Sequence, residues 1–195
     1  MEKEFILDIL SQSIEVKKSF SQDRDSLAAI QYQGNKMIEC LLNGGTIWFC
    51  GNGGSAADAQ HIAAELSGRF YLNRKPYAAE ALHVNSSFMT AVANDFGYDH
   101  VYERAIEALG KKGDILVAIS TSGNSNNIIL AAKKAKQLGI SAFLWSGKTG
   151  GQLTALCESS ILVPSTITPR IQETHIVMGH ILCEWIEKEM ANRAG

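Results

Sequence analysis

The chain opens with two stretches in which apolar residues recur at helical spacing. Phe5, Ile6, Ile9, Leu10 and Ile14 mark one face of a helix over 2–20, and Leu27, Ile30, Ile38, Leu41 and Leu42 mark a second over 27–42. The run Asn43-Gly44-Gly45 stops that second helix. From residue 46 the rhythm changes. Short continuous apolar runs at 46–50, 80–84, 114–120, 141–145 and 160–163 predict strands. Amphipathic stretches at 55–68, 87–93 with 101–109, 126–138 and 151–157 predict the helices between them. A last helix spans 169–191, with Thr168 as its cap and Pro169 at its first position. Apolar strands alternating with helices indicate a parallel sheet covered on both faces. The expected fold is α/β, a doubly wound five-stranded parallel sheet with an N-terminal helical extension over 1–43. No repeat or low-complexity tract interrupts it, and the loops at 73–76 and 164–168 are too short to link domains. Residues 1–195 are therefore expected to form a single domain.

Composition changes this picture only by exclusion. A chain of 195 residues that is 46% hydrophobic and 19% charged, with 3 prolines, has the makeup of a folded domain. A formal net charge of −2 weighs against a broad phosphate-backbone footprint, so no nucleic-acid partner is expected. The longest apolar runs, such as Ile115 to Ile119, fall far short of the roughly 18 residues that a membrane span requires. Met1-Glu2-Lys3-Glu4 is the wrong chemistry for a signal peptide. Cys40, Cys50, Cys157 and Cys183 form no C-x-x-C pair and fit neither a zinc ribbon nor a disulfide framework. The expectation is a reduced, cytoplasmic protein with no membrane partner.

In a doubly wound sheet, ligands bind beyond the C-terminal ends of the strands. Two loops there are chemically rich. The first reads Gly51-Asn52-Gly53-Gly54-Ser55-Ala56. Its glycines let backbone approach a ligand, and the helix that follows points N–H groups at an anion. Ser55 followed by Asp58 also fits a capping box. The letters match the dinucleotide pattern G-x-G-x-x-A, but the next strand ends His83-Val84-Asn85 and lacks the acidic residue that would hold a ribose. The second loop, Ser120-Thr121-Ser122-Gly123-Asn124-Ser125, carries four hydroxyls in six residues at a helix start. Hydroxyls and backbone amides together can hold a phosphate dianion without a lysine. Ser120, Ser122 and Ser125 are the expected donors, with Thr121 beside them.

Two further groups can carry metal or acid–base chemistry. His61 and Glu65 stand four apart on one helix face, the spacing that presents two ligands to one ion or a base beside its partner. An ordinary surface His–Glu contact has the same spacing. The last helix adds Gln172, Glu173, His175 and His180, the last within an apolar stretch that suits either a core histidine or a buried ligand. At ~100° per residue, Glu173 is nearly in phase with His180, whereas Gln172 diverges from it by about 80°. Helix phase alone thus pairs Glu173 with His180.

Four ordered motifs carry a resemblance. They are C-G-N-G-G-S at 50–55, A-N-D-F-G at 93–97, I-S-T-S-G-N-S at 119–125 and R-I-Q-E-x-H at 170–175. Together they resemble the bacterial phosphoheptose isomerases of the SIS (sugar isomerase) superfamily, over nearly the whole chain. The resemblance implies an aldose–ketose isomerase that converts D-sedoheptulose 7-phosphate to D-glycero-D-manno-heptose 7-phosphate, the first step toward nucleotide-activated heptose. It implies a zinc-containing homotetramer with sites at subunit interfaces. Its zinc ligands would be His61, Glu65, Gln172 and His180, so it names Gln172 where helix phase favours Glu173. Its phosphate site would be Ser120, Thr121, Ser122 and Ser125. The sugar would lie on Asn52, Gly53, Gly54, Asn94 and Asp95, with Glu65 and Gln172 also reaching it.

Isomerisation through an enediol needs a base, an acid and stabilisation of a developing oxyanion. Glu65 is the candidate base and His180 its acid–base partner. Two other functions fit the same fold. Some SIS relatives are non-catalytic modules that bind the replication initiator, but those lose the acidic residue and the final histidine that this chain keeps as Glu65 and His180. An isomerase for another sugar phosphate would use the same phosphate and metal groups.

Overall fold

The computed structural model describes residues 1–194. Helix α1 (Glu2–Gln22) and helix α2 (Arg24–Leu42) almost abut. Asp23 alone joins them. Its N–H donates to the Phe20 carbonyl to end α1, and its carboxylate accepts from Ser26 N at 3.2 Å to open α2. Both helices outrun the apolar pattern, because the caps and not the apolar residues mark their ends.

The remaining elements are β1 (Ile47–Gly51), α3 (Gly54–Ser67), β2 (Ala79–Ala81), α4 (Ser86–Phe96), α5 (Val101–Leu109), β3 (Ile115–Ser120), α6 (Asn126–Leu138), β4 (Ser141–Gly147), β5 (Ser159–Val163) and α7 (Thr168–Ala194). All pairings are parallel, in the order β2-β1-β3-β4-β5. Alternation along the strands sorts the core into two layers. Ile47, Phe49, Val117, Ile119, Phe143 and Trp145 pack toward α2, α3 and α7. Cys50, Leu116, Ala118 and Leu144 pack toward α5 and α6. The doubly wound parallel sheet is the fold expected from the sequence.

Three local expectations are corrected. The strand at 80–84 is only Ala79–Ala81, since Leu82 and His83 already turn and the Asn85 side chain caps α4 through Phe88 N at 3.0 Å. The helix at 151–157 is a 3₁₀ turn, Gly151–Ala155. Thr168 lies within α7 instead of capping it from outside.

The strand order fixes where a ligand can sit. From β1 the chain moves to one edge of the sheet, and from β3 it moves to the other. A crevice therefore opens at the carboxyl ends of the adjacent strands β1 and β3. The glycine loop and the serine loop leave from those two ends. Among the described residues, no helix is long and apolar enough to cross a membrane.

Candidate active site

The glycine loop starts α3 without a side-chain cap. The helix begins at Gly54, one residue earlier than the pattern suggested, and its cap position is Gly53 at φ 55°, a left-handed backbone conformation. The capping box of Ser55 and Asp58 is not formed. Ser55 is buried in the first turn, and Asp58 Oδ2 is buried with no hydrogen-bond partner. Burial lifts the Asp58 carboxyl to about 6. Asn52 is already engaged. It exchanges amide hydrogen bonds with Asn127 at the start of α6, 2.9 Å each way, and its Oδ1 also accepts from the Tyr98 hydroxyl at 3.2 Å. Tyr102 OH donates to the Gly51 carbonyl. Asn126 donates to Asp99 at 2.7 Å. The glycine loop, the start of α6 and the turn after α4 are thereby tied into one rim. Asn94 and Asp95 sit on that rim in the last turn of α4, exposed, with Asn94 Nδ2 donating to Asp95 Oδ1 at 2.9 Å.

The serine loop is pre-shaped. Ser120 Oγ lies 3.1 Å from Ser125 Oγ and accepts from Gly123 N at 3.2 Å. Gly123 has φ 66°, and a Cβ there would overlap the Gly150 carbonyl. Thr121 and Ser125 are half-buried and Ser122 is exposed, while Ser120 is buried. Ser146, which the sequence did not single out, and His175, which it did as an acid–base candidate, hold this loop from behind. Ser146 Oγ donates to the Ser120 carbonyl at 2.6 Å, and fully buried His175 reaches the Ser146 carbonyl through Nε2 at 3.3 Å. His175 Nδ1 has no partner, and burial drops the imidazole to about 4, so it stays neutral. Ser146 follows directly on the apolar run 141–145, and nothing in its neighbours signals the contact.

Helices α3 and α7 carry the second half of the chemistry. A Cβ on Gly54 would meet the Gln172 amide at 2.6 Å, and one on Gly179 would meet Ile62 at 2.5 Å, so the two helices run in the same direction. Their shared seam brings His61, Glu65 and His180 together, with one ligand atom of each within 4.8 Å of the others. His61 Nε2 is 3.1 Å from Glu65 Oε1, and the His61 and His180 rings lie 5.1 Å apart, edge to face. Two histidines and a carboxylate, partly exposed, have the donor set of an open divalent-metal site. The surface-pair alternative for His61 and Glu65 does not explain why His180 joins them from another helix.

Glu173 is not part of this cluster, which corrects the pairing drawn from helix phase. Its carboxylate accepts from Ser13 Oγ at 2.6 Å and from Arg170, and Lys17 lies 3.6 Å away. Helix α1 takes that face of α7. Gln172 keeps its amide on Gly54, at the first turn of α3 and about two helical turns from the level of His61 and His180.

Comparison with known proteins supplies context for this geometry. The SIS domain family matches residues 12–142. The phosphoheptose isomerase of Clostridium acetobutylicum is 47% identical over 188 residues, 96% of each chain. That of Aneurinibacillus thermoaerophilus is 46% identical over 185 residues, 95% of this chain and 93% of its own. The structure of a phosphoheptose isomerase from Neisseria gonorrhoeae superposes with a TM-score of 0.91 at 39% identity, covering 96% of this chain and 100% of that one.

Proposed function

The chain belongs to the SIS domain family and, within it, to the phosphoheptose isomerases, and on that premise we propose how its own residues interconvert D-sedoheptulose 7-phosphate and D-glycero-D-manno-heptose 7-phosphate. The observation that carries the assignment of roles is the convergence of His61, Glu65 and His180 on one point between α3 and α7. The substrate's phosphate is on C7, and its reacting carbons are C1 and C2. Anion binding and proton transfer must therefore occupy separate places, and the serine loop and the α3–α7 cluster are separate places.

Ser120, Thr121, Ser122 and Ser125 hold the phosphate with the backbone N–H groups of their loop. Gly53 and Gly54 admit the sugar close to the backbone, and Asn94, Asp95 and Gln172 offer it hydrogen bonds. Asn52 serves the sugar chiefly by fixing the loop, since its amide is bound to Asn127. Glu65 removes the proton from C1 of the ketose and returns it to C2. His180 moves the hydroxyl proton between O2 and O1, so that the C2 carbonyl becomes a hydroxyl and the C1 hydroxyl becomes the aldehyde. Oε1 of Glu65 faces His61, which leaves Oε2 for the proton.

His61, Glu65 and His180 are the groups that would hold a zinc ion, with Gln172 as the fourth group implied by the family resemblance once its amide leaves Gly54. When bound, the ion polarises the carbonyl as a Lewis acid. We assign the working unit to a homotetramer in the cytoplasm: the exposed apolar face of α1 supports self-association, the count of four is what the family resemblance implies, and four free cysteines fit a reducing compartment. The product feeds nucleotide-activated heptose synthesis.

The test is turnover of sedoheptulose 7-phosphate by purified protein, before and after chelation and zinc repletion. Glu65→Gln is expected to lose at least about a thousandfold in kcat, on the order of 4 kcal/mol of barrier, while keeping its oligomeric state. Full activity in that variant would remove Glu65 from the reaction. No product from the metal-replete wild type would overturn the function itself.

A further inference from the structure

We propose that Arg74 and Glu187 are a positioning pair for His61, Glu65 and His180. The proposal rests on the active-site reading above and adds two residues that no motif includes. Glu187 lies on α7, two turns beyond His180, and its side chain is 2% exposed against 9% for Arg74. Its carboxylate is fully committed. Oε1 accepts from Arg74 Nε at 2.8 Å and from Phe70 N at 3.1 Å, and Oε2 accepts from Tyr71 N at 2.7 Å and Leu72 N at 2.9 Å. These bonds fold the segment after α3 onto α7.

Arg74 closes the arrangement from the other side. Its Nη2 donates to the carbonyl of Glu65 at 3.0 Å, and its Nη1 donates to the carbonyl of Leu66 at 3.0 Å. The guanidinium also stacks on Tyr77, 3.8 Å from the ring centre. One planar group thus binds the last turn of α3 and the carboxylate on α7. The residue whose carbonyl it holds, Glu65, carries the base. The same carboxylate fixes Phe70, whose ring lies 5.7 Å from that of His180. Backbone of the base, register of the two helices and the wall beside the histidine all depend on this ion pair.

A buried ion pair is a poor choice if stability alone is required, because well-packed apolar residues would serve as well. What it supplies is direction. Six hydrogen bonds to named atoms tie α7 to the end of α3 and the segment after it more closely than side-chain packing would, and a metal or proton-transfer cluster loses function when displaced by about 1 Å. Lysine replaces arginine only in part here, since one ammonium keeps the charge but cannot span the carboxylate and both carbonyls.

The test uses the full-length protein stripped of metal, with Arg74→Lys, Arg74→Met and Glu187→Gln. Cobalt(II) is titrated in by visible absorption, and kcat and KM for the sugar phosphate are measured after metal repletion. Circular dichroism and thermal unfolding confirm that each variant is folded. The expected result is cobalt affinity weakened by about 10-fold or more in Arg74→Met and Glu187→Gln, with an altered cobalt spectrum. The fall in kcat should be similar and the change in KM at most about twofold, because the phosphate site lies elsewhere. Arg74→Lys should be intermediate. If Arg74→Met does not fold, the two milder variants decide. Folded variants with wild-type cobalt affinity, spectrum and kcat would overturn the proposal. If the wild type binds no cobalt, the metal reading fails and the pair is judged on kcat alone: a selective fall supports it and no change overturns it.

Discussion

His175 is a buried base whose proton content depends on folding. In the unfolded chain it titrates near the ordinary 6.5, and burial lowers it to about 4 in the native state. Between those values the native state binds fewer protons than the unfolded state. Its contribution to stability is therefore complete above pH 6.5 and is lost as pH falls toward 4, at up to about 1.4 kcal/mol per pH unit. Asp58 works in the opposite sense: its carboxyl is raised to about 6, so the metal-free protein loses stability as pH rises from about 4 to 6. The wild-type curve sums the two. Comparing the melting temperature of wild type and His175→Gln across pH 4 to 7.5 isolates the histidine. The variant is expected to decline less on acidification; parallel curves would show that His175 does not titrate differently in the two states. At this level the sequence was legible where residues act through near neighbours in the chain. His61 and Glu65 were found by spacing, and His180 by its odd place among apolar residues. Glu173 was misassigned because helix phase gives a direction but not the element that covers it. Ser146, Arg74 and Glu187 were invisible because their partners come from distant segments.

Among the elements, the serine loop shows the closest interlocking. Gly123 meets Gly150 and Gly151 backbone to backbone, Leu153 N donates to the Gly123 carbonyl at 3.1 Å, and Gln152 N donates to Asn124 Oδ1 at 3.0 Å. A methyl group at position 123 must push these strand-end loops apart and also occupy a left-handed backbone. Gly123→Ala is expected to cost at least about 2 kcal/mol of stability and to weaken inhibition by inorganic phosphate several-fold. Denaturant unfolding and phosphate inhibition assays check both parts, and a variant with unchanged phosphate binding would show that the loop's shape is not what holds the anion. Element identity was legible wherever apolar runs and amphipathic periods were strong, and failed at 151–157, where a short stretch forms a 3₁₀ turn. The ends were less legible. β2 stops at Ala81 because Asn85 claims the next turns for α4, and α3 starts at Gly54 because Gly53, not Ser55, takes the cap.

For the whole molecule, α1 is the element least satisfied by its own chain. Phe20 is buried, but Phe5, Leu10 and Ile14 remain 67%, 54% and 61% exposed. Each such side chain gains on the order of 2 kcal/mol when covered. The double substitution Leu10→Lys with Ile14→Lys is expected to shift the protein to smaller species in sedimentation and to remove most of the activity at low protein concentration. Unchanged sedimentation would show that the apolar face of α1 makes no contact between copies.

The helix pair that gathers His61, Glu65 and His180 also sets when an ion can be captured. The first two ligands leave the ribosome together on α3, whereas the third arrives only with α7. Until then a growing chain has only two of the three donors in place, too few for the site proposed above. On the proposed reading of this cluster as a metal site, a product that stops before α7 lacks His180 and would compete poorly for scarce metal.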